Sequence, residues 1–463
     1  MPVAAAPVVI LGGGLTGIST AYHLGSGYVL LEREARLGGH ARTEERDGYF
    51  FDRTGHWLHL RDPGIRRLIT RLLPGGLTTV DRRARVYSSG VLTRYPFQAN
   101  LFGLPPAVAA ECLLGLVETR LAAPDPGPPR DFEQFCLRHF GAGIAKHFMI
   151  PYNSKLYGVH PREITAEWCQ RFVPVPKLEE VVRGAVGEPP PEMGYNVGFL
   201  YPKRGGIETM TRALTGRLTG DVRTGTAPDA IDLKRREVVV RGQRVPFRAI
   251  VSTIPLPAVC RLIQGAPRRV LEAADQLRCT PLRYLNVATR HRPPADFHWI
   301  YVPEERYPFY RVGIYSNAVP SMAPRGRGAL YVELSERGPL PPARRLTAEV
   351  ARGLAAAGAI RDANDVLFAD LRELEHAYVI FDHAYYAATR FLRSWLEQRG
   401  IYPRGRYGFW TYNSMEDCLI AGRDVAQTVV QGGALPAPPR RAEPVEPPPH
   451  RARPARVAAR RPA

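Results

Sequence analysis

The stretch Val8-Val-Ile-Leu11-Gly12-Gly-Gly14-Leu-Thr-Gly17 decides the fold of this 463-residue chain. The apolar run Val8–Leu11 predicts a short buried parallel strand, and Leu15–Leu24 predicts a helix. A second apolar run, Tyr28–Leu31, predicts another strand, which ends at Glu32. Strand, glycine turn, helix and strand together form a βαβ unit, the usual start of a doubly wound sheet.

The three glycines of this turn have separate physical tasks. Gly12 permits a tight turn, Gly14 lets a pyrophosphate approach the backbone, and Gly17 lets the helix pack closely on the strand. The helix N-terminus then favours the negative charge of the phosphates. Glu32 follows Gly12 at the spacing of a carboxylate that binds a ribose. A glycine turn without a ligand is the alternative, and this full context disfavours it, so we expect a dinucleotide cofactor.

The length of the chain predicts more than one domain, in an α/β protein. Helical periodicity marks Ala107–Leu121 and Phe132–Phe148, with Asp131 as the N-cap of the second helix, and alternating segments mark an antiparallel sheet after Leu282. We also expect a strand over Tyr378–Ala384. The predicted parts are a discontinuous Rossmann-like dinucleotide-binding domain in 1–94, 196–280 and 401–433, a mainly helical insertion in 95–195, an antiparallel-sheet substrate domain in 281–400, and a disordered Pro/Arg-rich tail in 434–463.

Composition and charge exclude several classes of protein. The formal net charge of +19 is spread along the chain, and no nucleic-acid module is recognisable. Six cysteines occur without a CxxC motif or a His/Cys cluster, so we expect reduced thiols and no metal site. No apolar stretch of membrane-spanning length and no signal peptide occur, which predicts a soluble, cytoplasmic protein. The oligomeric state is left open.

The segment from Glu32 to Arg42 resembles the second glycine motif of amine-oxidase-like FAD enzymes. In those families it wraps back over the FAD pyrophosphate, with a polar or basic residue at the position of Arg42. The resemblance therefore implies FAD as the cofactor, bound by Gly12, Gly14, Gly17, Glu32, Gly38, Gly39 and Arg42.

Several further motifs, in family order from Val8 to Val430, resemble the eukaryotic-type UDP-galactopyranose mutases. They are Tyr95-Pro-Phe-Gln-Ala-Asn100, Gly143-Ile-Ala-Lys-His-Phe-Met-Ile-Pro-Tyr-Asn153, Tyr201-Pro-Lys-Arg-Gly-Gly206, Trp299-Ile-Tyr301, Pro308-Phe-Tyr-Arg311, Phe381-Asp-His-Ala-Tyr385 and Gly405-Arg-Tyr-Gly-Phe-Trp-Thr-Tyr412. This resemblance implies interconversion of the pyranose and furanose forms of a UDP-sugar. The reaction in that family passes through an adduct between N5 of reduced FAD and the sugar, with NADPH or NADH as a candidate reductant.

The resemblance also implies roles for individual residues. His56 and Asp417 match positions beside FAD, and His56, Arg171, Arg311 and Arg406 match catalytic positions. The expected contacts to the nucleotide-sugar are Tyr95, Phe97, Gln98, Asn153, Tyr157, Arg171, Asn196, Trp299, Tyr301, Arg311, Tyr385, Arg406 and Tyr412. The chemistry is consistent, because a diphosphate requires guanidinium and hydroxyl donors. His40 and His59 are interpreted as structural histidines.

The chain departs from that family at several positions. Thr54 replaces a glycine in the histidine loop, Tyr157 replaces a tryptophan, and Ser414-Met-Glu-Asp417-Cys418 replaces the pattern Gly-Asn-x-Asp-His. Two alternatives are therefore kept. One is an oxidoreductase of the amine or protoporphyrinogen oxidase type, and the other is a binding protein that has lost catalysis.

Deletion of the tail Leu435–Ala463 is expected to leave folding and turnover unchanged. The segment contains nine Pro and seven Arg, a composition that cannot bury a core face. The thermal midpoint and the activity of the truncated and full chains test this. A large loss of either would show that the tail docks on the body.

Overall fold

The computed structural model describes residues 6–73, 75–122, 127–169, 173–188, 198–336 and 338–431. Arg171, Asn196 and the tail 434–463 lie outside the described residues, so the expectations for them stay predictions.

The strands of the described ranges are β1 Val8–Leu11, β2 Tyr28–Leu31, β3 Thr43–Arg46, β4 Tyr49–Asp52, β5 Leu77–Asp81, β6 Ala84–Ser88, β7 Val91–Arg94, β8 Gly198–Pro202, β9 Asp221–Arg223, β10 Ala230–Asp232, β11 Glu237–Val240, β12 Gln243–Pro246, β13 Ala249–Ser252, β14 Cys279–Thr289, β15 Trp299–Tyr301, β16 Phe309–Ile314, β17 Gly328–Leu334, β18 Val366–Val379 and β19 Ile401–Pro403. The helices are α1 Leu15–Leu24, α2 Pro63–Leu72, α3 Pro106–Leu121, α4 Phe132–Ile144, α5 Ile150–Tyr157, α6 Leu178–Ala185, α7 Glu208–Thr215, α8 Leu256–Leu262, α9 Arg268–Asp275, α10 Tyr315–Ala318, α11 Ala343–Ala356, α12 Tyr385–Glu397, α13 Gly405–Gly408 and α14 Met415–Gln431.

A five-stranded parallel sheet carries the predicted βαβ unit. Its order is β19-β13-β1-β2-β9, so β1 lies between β13 and β2. All four residues of β1 are fully buried, as expected for a strand covered on both faces. The predicted bounds of β1, α1 and β2 are confirmed. The chain leaves β1 at Gly12, at the carboxyl edge of the sheet, where doubly wound folds bind their ligands.

The helical insertion differs from its prediction in one helix. The carboxylate of Asp131 accepts a hydrogen bond from the Gln134 N–H at 2.8 Å, which confirms the predicted N-cap. However, α4 ends at Ile144, and a π-helical turn over Ala145–Met149 precedes α5. Pro151 in the first turn of α5 has no N–H to continue the α-helical ladder, so the chain changes register before it.

A mainly antiparallel seven-stranded sheet has the order β18-β14-β17-β16-β15-β6-β7. Its strands β6 and β7 come from 84–94, so the sheet crosses the boundary predicted at residue 94. The division into domains otherwise stays a prediction. The mixed α/β fold class is confirmed.

The strand predicted over Tyr378–Ala384 is wrong for most of its length. Strand β18 begins at Val366 and ends at Val379, where its pairing with β14 stops. The Asp382 carboxylate then accepts hydrogen bonds from the N–H groups of Ala384 and Tyr385, at 3.2 and 3.1 Å. These bonds start α12, so the chain turns into a helix where an extended segment was expected.

Within the described ranges, no helix is both long and apolar enough to cross a bilayer. The same ranges hold no group of three or more His, Cys, Asp or Glu side chains arranged as metal ligands.

A fully buried carboxyl group, Asp52 at the end of β4, links this strand to β3 and to the segment after β8. Its oxygens accept hydrogen bonds from the Thr43 hydroxyl at 2.7 Å, the Ile207 N–H at 3.1 Å and the Tyr201 hydroxyl. Burial raises the pKa of Asp52 to about 7, although the bonds from Tyr201 and Thr43 favour the carboxylate.

Asp52→Asn is expected to weaken the pH dependence of stability. The pKa of Asp52 is higher in the folded than in the unfolded chain, so its contribution to stability is lost as pH rises through about 7. The variant should therefore gain thermal midpoint relative to the wild type between about pH 5 and about pH 8. Thermal unfolding followed by circular dichroism measures this. Asp47→Asn, at an exposed side chain, is the control, and parallel pH profiles for Asp52→Asn and the wild type would contradict the expectation.

Candidate cofactor and substrate site

Of the three motif glycines, Gly12 and Gly17 are tightly enclosed by protein atoms, whereas Gly14 faces open space. A Cβ on Gly12, whose φ is 97°, would lie 2.5 Å from the Thr253 hydroxyl oxygen. A Cβ on Gly17 would lie 2.0 Å from the Gly12 carbonyl oxygen. A Cβ on Gly14 would meet only the Gly39 Cα, at 3.9 Å. The space before Gly14 is therefore a cradle at the N-terminus of α1 that a side chain would fill.

The second glycine motif lies directly over this cradle. Gly14 and Gly38 form an isolated β-bridge, and the Gly38 N–H donates to the Gly13 carbonyl at 2.8 Å. Gly38 and Gly39 have φ values of 123° and 58°, which favour glycine.

The buried guanidinium of Arg42 lies in the same region as the cradle. Its Nε donates to the Leu37 carbonyl at 3.1 Å, and one terminal nitrogen forms an ion pair with Glu34. Its other terminal nitrogen is buried without a hydrogen-bond partner. An unpaired buried N–H beside an open glycine cradle fits an anionic group such as the FAD pyrophosphate.

The buried carboxylate of Glu32 holds the turn in shape. One oxygen accepts from the Gly13 N–H at 2.7 Å and the other from the Glu34 N–H at 2.8 Å. Each oxygen has a further lone pair, so the group can also accept from a ribose hydroxyl.

The loop that carries His56 follows β4. Thr54 has a φ of 71°, an angle that a threonine rarely adopts, and its carbonyl accepts from the Tyr315 hydroxyl at 2.8 Å. A Cβ on Gly55 would lie 2.4 Å from the Tyr331 hydroxyl oxygen. The His56 Nδ1 lies 3.3 Å from the Thr54 carbonyl oxygen, so Nδ1 carries the proton and Nε2 is an acceptor.

Two neutral histidines lie in this region. Burial and the charges of Arg406, Arg53 and Arg311 lower the pKa of His56 to about 4, against the opposing bond to the Thr54 carbonyl. Burial, with His56, Arg53 and Arg406, lowers the pKa of His40 to about 3. From the sequence, His40 was interpreted as a structural histidine and was not expected to lie near His56. Its position directly after Gly39 was the available signal.

Arg311 on β16 faces a buried carboxylate on the neighbouring strand. Its Nη2 donates to Glu333 at 2.7 Å and to the Tyr378 hydroxyl at 2.7 Å, and its Nε is buried without a partner. Glu333 is 0% exposed and stands opposite Arg311 in the β16–β17 register. Neither partner was predicted from the sequence, although a glutamate in the apolar strand Gly328–Leu334 is a signal for Glu333.

Arg406 binds neutral groups instead. Its terminal nitrogens donate to the carbonyls of Asn413 at 3.0 Å and Ala377 at 2.8 Å. Its guanidinium carbon lies 4.6 Å from the ring centre of Tyr412 and 5.9 Å from that of Tyr378. Arg311 and Arg406 therefore meet at Tyr378.

The aromatic side of the site is formed by β15 and its neighbours. The Trp299 indole N–H donates to the Tyr301 hydroxyl at 3.0 Å. The Tyr301 ring lies 4.8 Å from the Tyr95 ring. Three residues that were predicted to contact the substrate therefore lie together: Tyr95, Trp299 and Tyr301. Tyr301 is paired with Arg311 in the β15–β16 register.

Other expected contacts lie elsewhere. The Tyr385 hydroxyl donates to the Trp410 carbonyl at 2.7 Å, so Tyr378, and not Tyr385, is the tyrosine on Arg311. Phe97 is fully buried with its ring stacked 5.1 Å from Phe148, so the face expected to stack on a base is used inside the core.

The remaining polar side chains of the prediction have partners within the protein. The Gln98 amide donates to the Pro174 carbonyl at 3.0 Å, although its own oxygen is buried without a partner. The Asn153 amide donates to the Met149 carbonyl at 2.7 Å. Tyr157 packs edge-on against Trp168 and Tyr378, at 5.7 and 6.1 Å between ring centres. An Asp417 oxygen accepts from the Ser414 N–H at 2.9 Å and caps α14.

The family model of the flavin containing amine oxidoreductases matches residues 15–430. The chain belongs to this family. Its cofactor is therefore FAD, which the open cradle at Gly14 and the unpaired nitrogen of Arg42 fit.

Known proteins with this fold include enzymes of two kinds. The crystal structure of a reduced UDP-galactopyranose mutase is 25% identical with a TM-score of 0.87, over 92% of this chain and 94% of that one. A protein from Exiguobacterium sp. 255-15 assigned as a protoporphyrinogen oxidase is 17% identical with a TM-score of 0.72, over 93% and 99%, and shows the fold alone. The chloroplastic protoporphyrinogen oxidase of Nicotiana tabacum is 26% identical over 197 residues, which span 40% of this chain and 35% of that protein.

Gly14→Val is expected to give a folded but colourless protein. Its Cβ meets no protein atom closer than 3.9 Å, yet the side chain fills the space left for the pyrophosphate. Gly17→Ala is the contrasting variant, because its Cβ clashes with the Gly12 carbonyl and should destabilise the turn itself. FAD released on denaturation and circular dichroism separate the two outcomes. An FAD-replete Gly14→Val protein would refute the assigned cradle.

Proposed function

We propose that this flavoprotein is a pyranose–furanose mutase that acts on a nucleoside-diphosphate sugar, UDP-galactopyranose and UDP-galactofuranose or a related sugar. The observation that carries the proposal is the meeting of Arg311 and Arg406 at Tyr378, beside the neutral His56. Two half-buried guanidinium groups and a hydroxyl suit a diphosphate, whereas an amine substrate is cationic and would be repelled.

The charges of the site point to an anionic substrate as well. Glu333 offsets the charge of Arg311, but the contacts of Arg406 described above are neutral carbonyls. Among the described residues no carboxylate forms an ion pair with Arg406, and the field of such a charge is strong in a half-buried place, because the local dielectric constant is lower than that of water. Arg406 therefore supplies the charge that a leaving diphosphate requires.

The remaining groups orient the reactants. Reduced FAD supplies a nucleophilic nitrogen when it is bound. Tyr301 and Tyr412 present hydroxyl groups beside the two arginines, and the His56 Nε2 is an acceptor for a sugar hydroxyl.

Each of these tyrosines is tied to one of the arginines. Burial raises the pKa of Tyr301, and the nearby charge of Arg311 opposes that shift. The Tyr301 hydroxyl therefore stays a protonated donor at neutral pH. Tyr412, whose ring lies under the Arg406 guanidinium, is 38% exposed and so faces the solvent side of the site.

The second candidate is an oxidoreductase of the amine or protoporphyrinogen oxidase type. Membership of the flavin containing amine oxidoreductases and the Nicotiana tabacum relative favour it. Such an enzyme oxidises its substrate and passes electrons to an acceptor, whereas the mutase needs reduced flavin and has no net redox change. NADPH or NADH is the reductant that we propose for the mutase.

The two candidates are separated by one incubation. Dithionite-reduced protein is mixed with UDP-galactofuranose under anaerobic conditions, and the nucleotide-sugars are separated by chromatography. Formation of UDP-galactopyranose by the reduced protein alone supports the mutase. Turnover of an amine or a porphyrinogen by the oxidised protein, with release of peroxide and no conversion of the UDP-sugar, would refute it.

Arg311→Ala by itself is expected to destabilise the protein, because it leaves Glu333 buried without a counterion. Removing one partner of a buried pair costs roughly 3–5 kcal/mol. The double variant Arg311→Met/Glu333→Gln removes both charges and should recover most of the thermal midpoint and the FAD content. Equal thermal midpoints for the single and double variants would contradict the importance of this pair for the fold.

The double variant then isolates the role of Arg311 toward the substrate. Loss of the contacts between the Arg311 guanidinium and the diphosphate should lower kcat/KM by more than about tenfold and up to about a thousandfold. Arg311→Lys should rescue only in part, because an ammonium cannot make the paired contacts of a guanidinium. Steady-state kinetics on the FAD-loaded proteins measure this. An unchanged kcat/KM in the double variant would remove Arg311 from the substrate site.

A further inference from the structure

Lys155 on α5 is a buried ammonium group enclosed by backbone carbonyls. The side chain is 2% exposed, and its Nζ donates to the carbonyl oxygens of Val302, Glu304, Tyr307 and Phe309, at 3.1, 2.8, 3.0 and 2.5 Å. An ammonium has three N–H bonds, so the four oxygens share them. All four belong to the segment 302–309, which comprises the connection between β15 and β16 and the first residue of β16.

This segment connects residues of both sides of the proposed substrate site. Trp299 and Tyr301 lie on β15 directly before it, and Arg311 lies on β16 directly after it. Helix α5 itself carries Asn153 and Tyr157, so Lys155 joins that helix to the strands that carry the aromatic residues and the arginine.

Tyr152 strengthens the same contact. It lies three residues before Lys155, on the same face of α5. Its ring packs edge-on against Tyr301 and Tyr310, with ring centres 5.4 and 6.0 Å apart. The helix therefore holds β15 and β16 through one apolar and one charged contact.

Burial of a lysine side chain is unfavourable, because its ammonium group must leave water. Burial lowers the pKa of Lys155 to about 7, while the charges of Glu304 and Glu305 act in the opposite direction. The carbonyl dipoles offset part of the cost of removing the ammonium from water. An apolar residue at this position would remove the ammonium donor from four carbonyls, of which the Glu304 carbonyl also accepts from the Tyr307 N–H at 3.3 Å. A buried acceptor that loses its donor is unfavourable. The arrangement thus specifies one conformation of the turn.

We propose that Lys155 is a positioning residue for the nucleotide-sugar site, which fixes the turn 302–309 and through it the spacing of Tyr301 and Arg311 relative to α5. Because Lys155 is almost fully buried, it acts through the turn and not by contact with the ligand. This inference rests on the proposed function, since the ligand of the site is taken to be a nucleoside diphosphate.

The test compares Lys155→Met with the wild type, both loaded with FAD. We expect unchanged FAD content, a Kd for UDP at least about tenfold weaker by calorimetry, and faster hydrogen exchange in 302–309. For a substrate the loss should appear mainly in KM. Lys146→Met is the matched control, because Lys146 is exposed and pairs with Glu111 at 2.7 Å on the surface, and it should change none of these quantities.

A second variant covers the case in which Lys155→Met does not fold. Lys155→Ala leaves room for a small cation, and ethylammonium should restore UDP affinity whereas propanol should not. No restoration would overturn the proposal.

The outcomes separate this inference from the proposed function. Absence of UDP binding by the wild type would overturn the function and, with it, the role of Lys155 in that site. UDP binding by the wild type with an equal Kd in Lys155→Met would overturn the role of Lys155 alone. The same holds if exchange in 302–309 does not change.

Discussion

The structure depends on the close approach of the Gly17 backbone to the Gly12 carbonyl. This contact fixes α1 against the carboxyl end of β1, and no side chain fits between them. Helix α1 is in turn the surface on which α14 and the segment at Gly405 pack. A Cβ on Gly422 would lie 2.5 Å from the Thr16 carbonyl oxygen, and one on Gly405 would lie 2.3 Å from the Thr16 hydroxyl oxygen. Residues 400 positions apart are thereby brought together, as in the hydrogen bond that the Ser19 hydroxyl donates to the Leu419 carbonyl at 2.6 Å.

Local interactions explain which parts of this arrangement the sequence could predict. The turn at Gly12, the strands beside it and the Asp131 cap depend on residues a few positions apart, and their predictions hold. The pairing of β6 with β15 and the ion pair of Arg311 with Glu333 join segments that are distant in sequence. Hydrophobic periodicity does not show which distant segments pair with each other. The expectation that Tyr385 contacts the diphosphate came from the family resemblance, which does not fix where β18 ends. Only the end of β18 at Val379 decides that Tyr378, and not Tyr385, reaches Arg311.

The arginines of the site differ in whether a carboxylate offsets their charge. Arg311 has a carboxylate partner in Glu333, Arg42 has one in Glu34, and Arg406 contacts backbone carbonyls. Burial, together with the positive field of the nearby arginines, keeps His40 and His56 neutral, since a proton on either imidazole would add a further buried positive charge. Neutral imidazoles beside a guanidinium whose hydrogen bonds, within the described residues, go to backbone carbonyls can accept hydrogen bonds while the guanidinium holds an anion. That combination favours a substrate with a negatively charged leaving group.

The cofactor cradle and the proposed substrate side belong to different sheets, and this separation bears on how proteins with this fold include both oxidases and a mutase. The cradle at Gly14 belongs to the parallel sheet and its glycine turns, where the close contacts are made by backbone atoms. Arg311, Glu333, Trp299 and Tyr378 belong to the antiparallel sheet, where side chains alternate between faces and can be exchanged without disturbing the ladder. In the site that we propose, a change of substrate is a change of side chains on β15 to β18, whereas backbone atoms form the cofactor cradle. For this reason the fold alone does not distinguish the two chemistries, and the arginines, tyrosines and carboxylate of the antiparallel sheet are what favour a mutase.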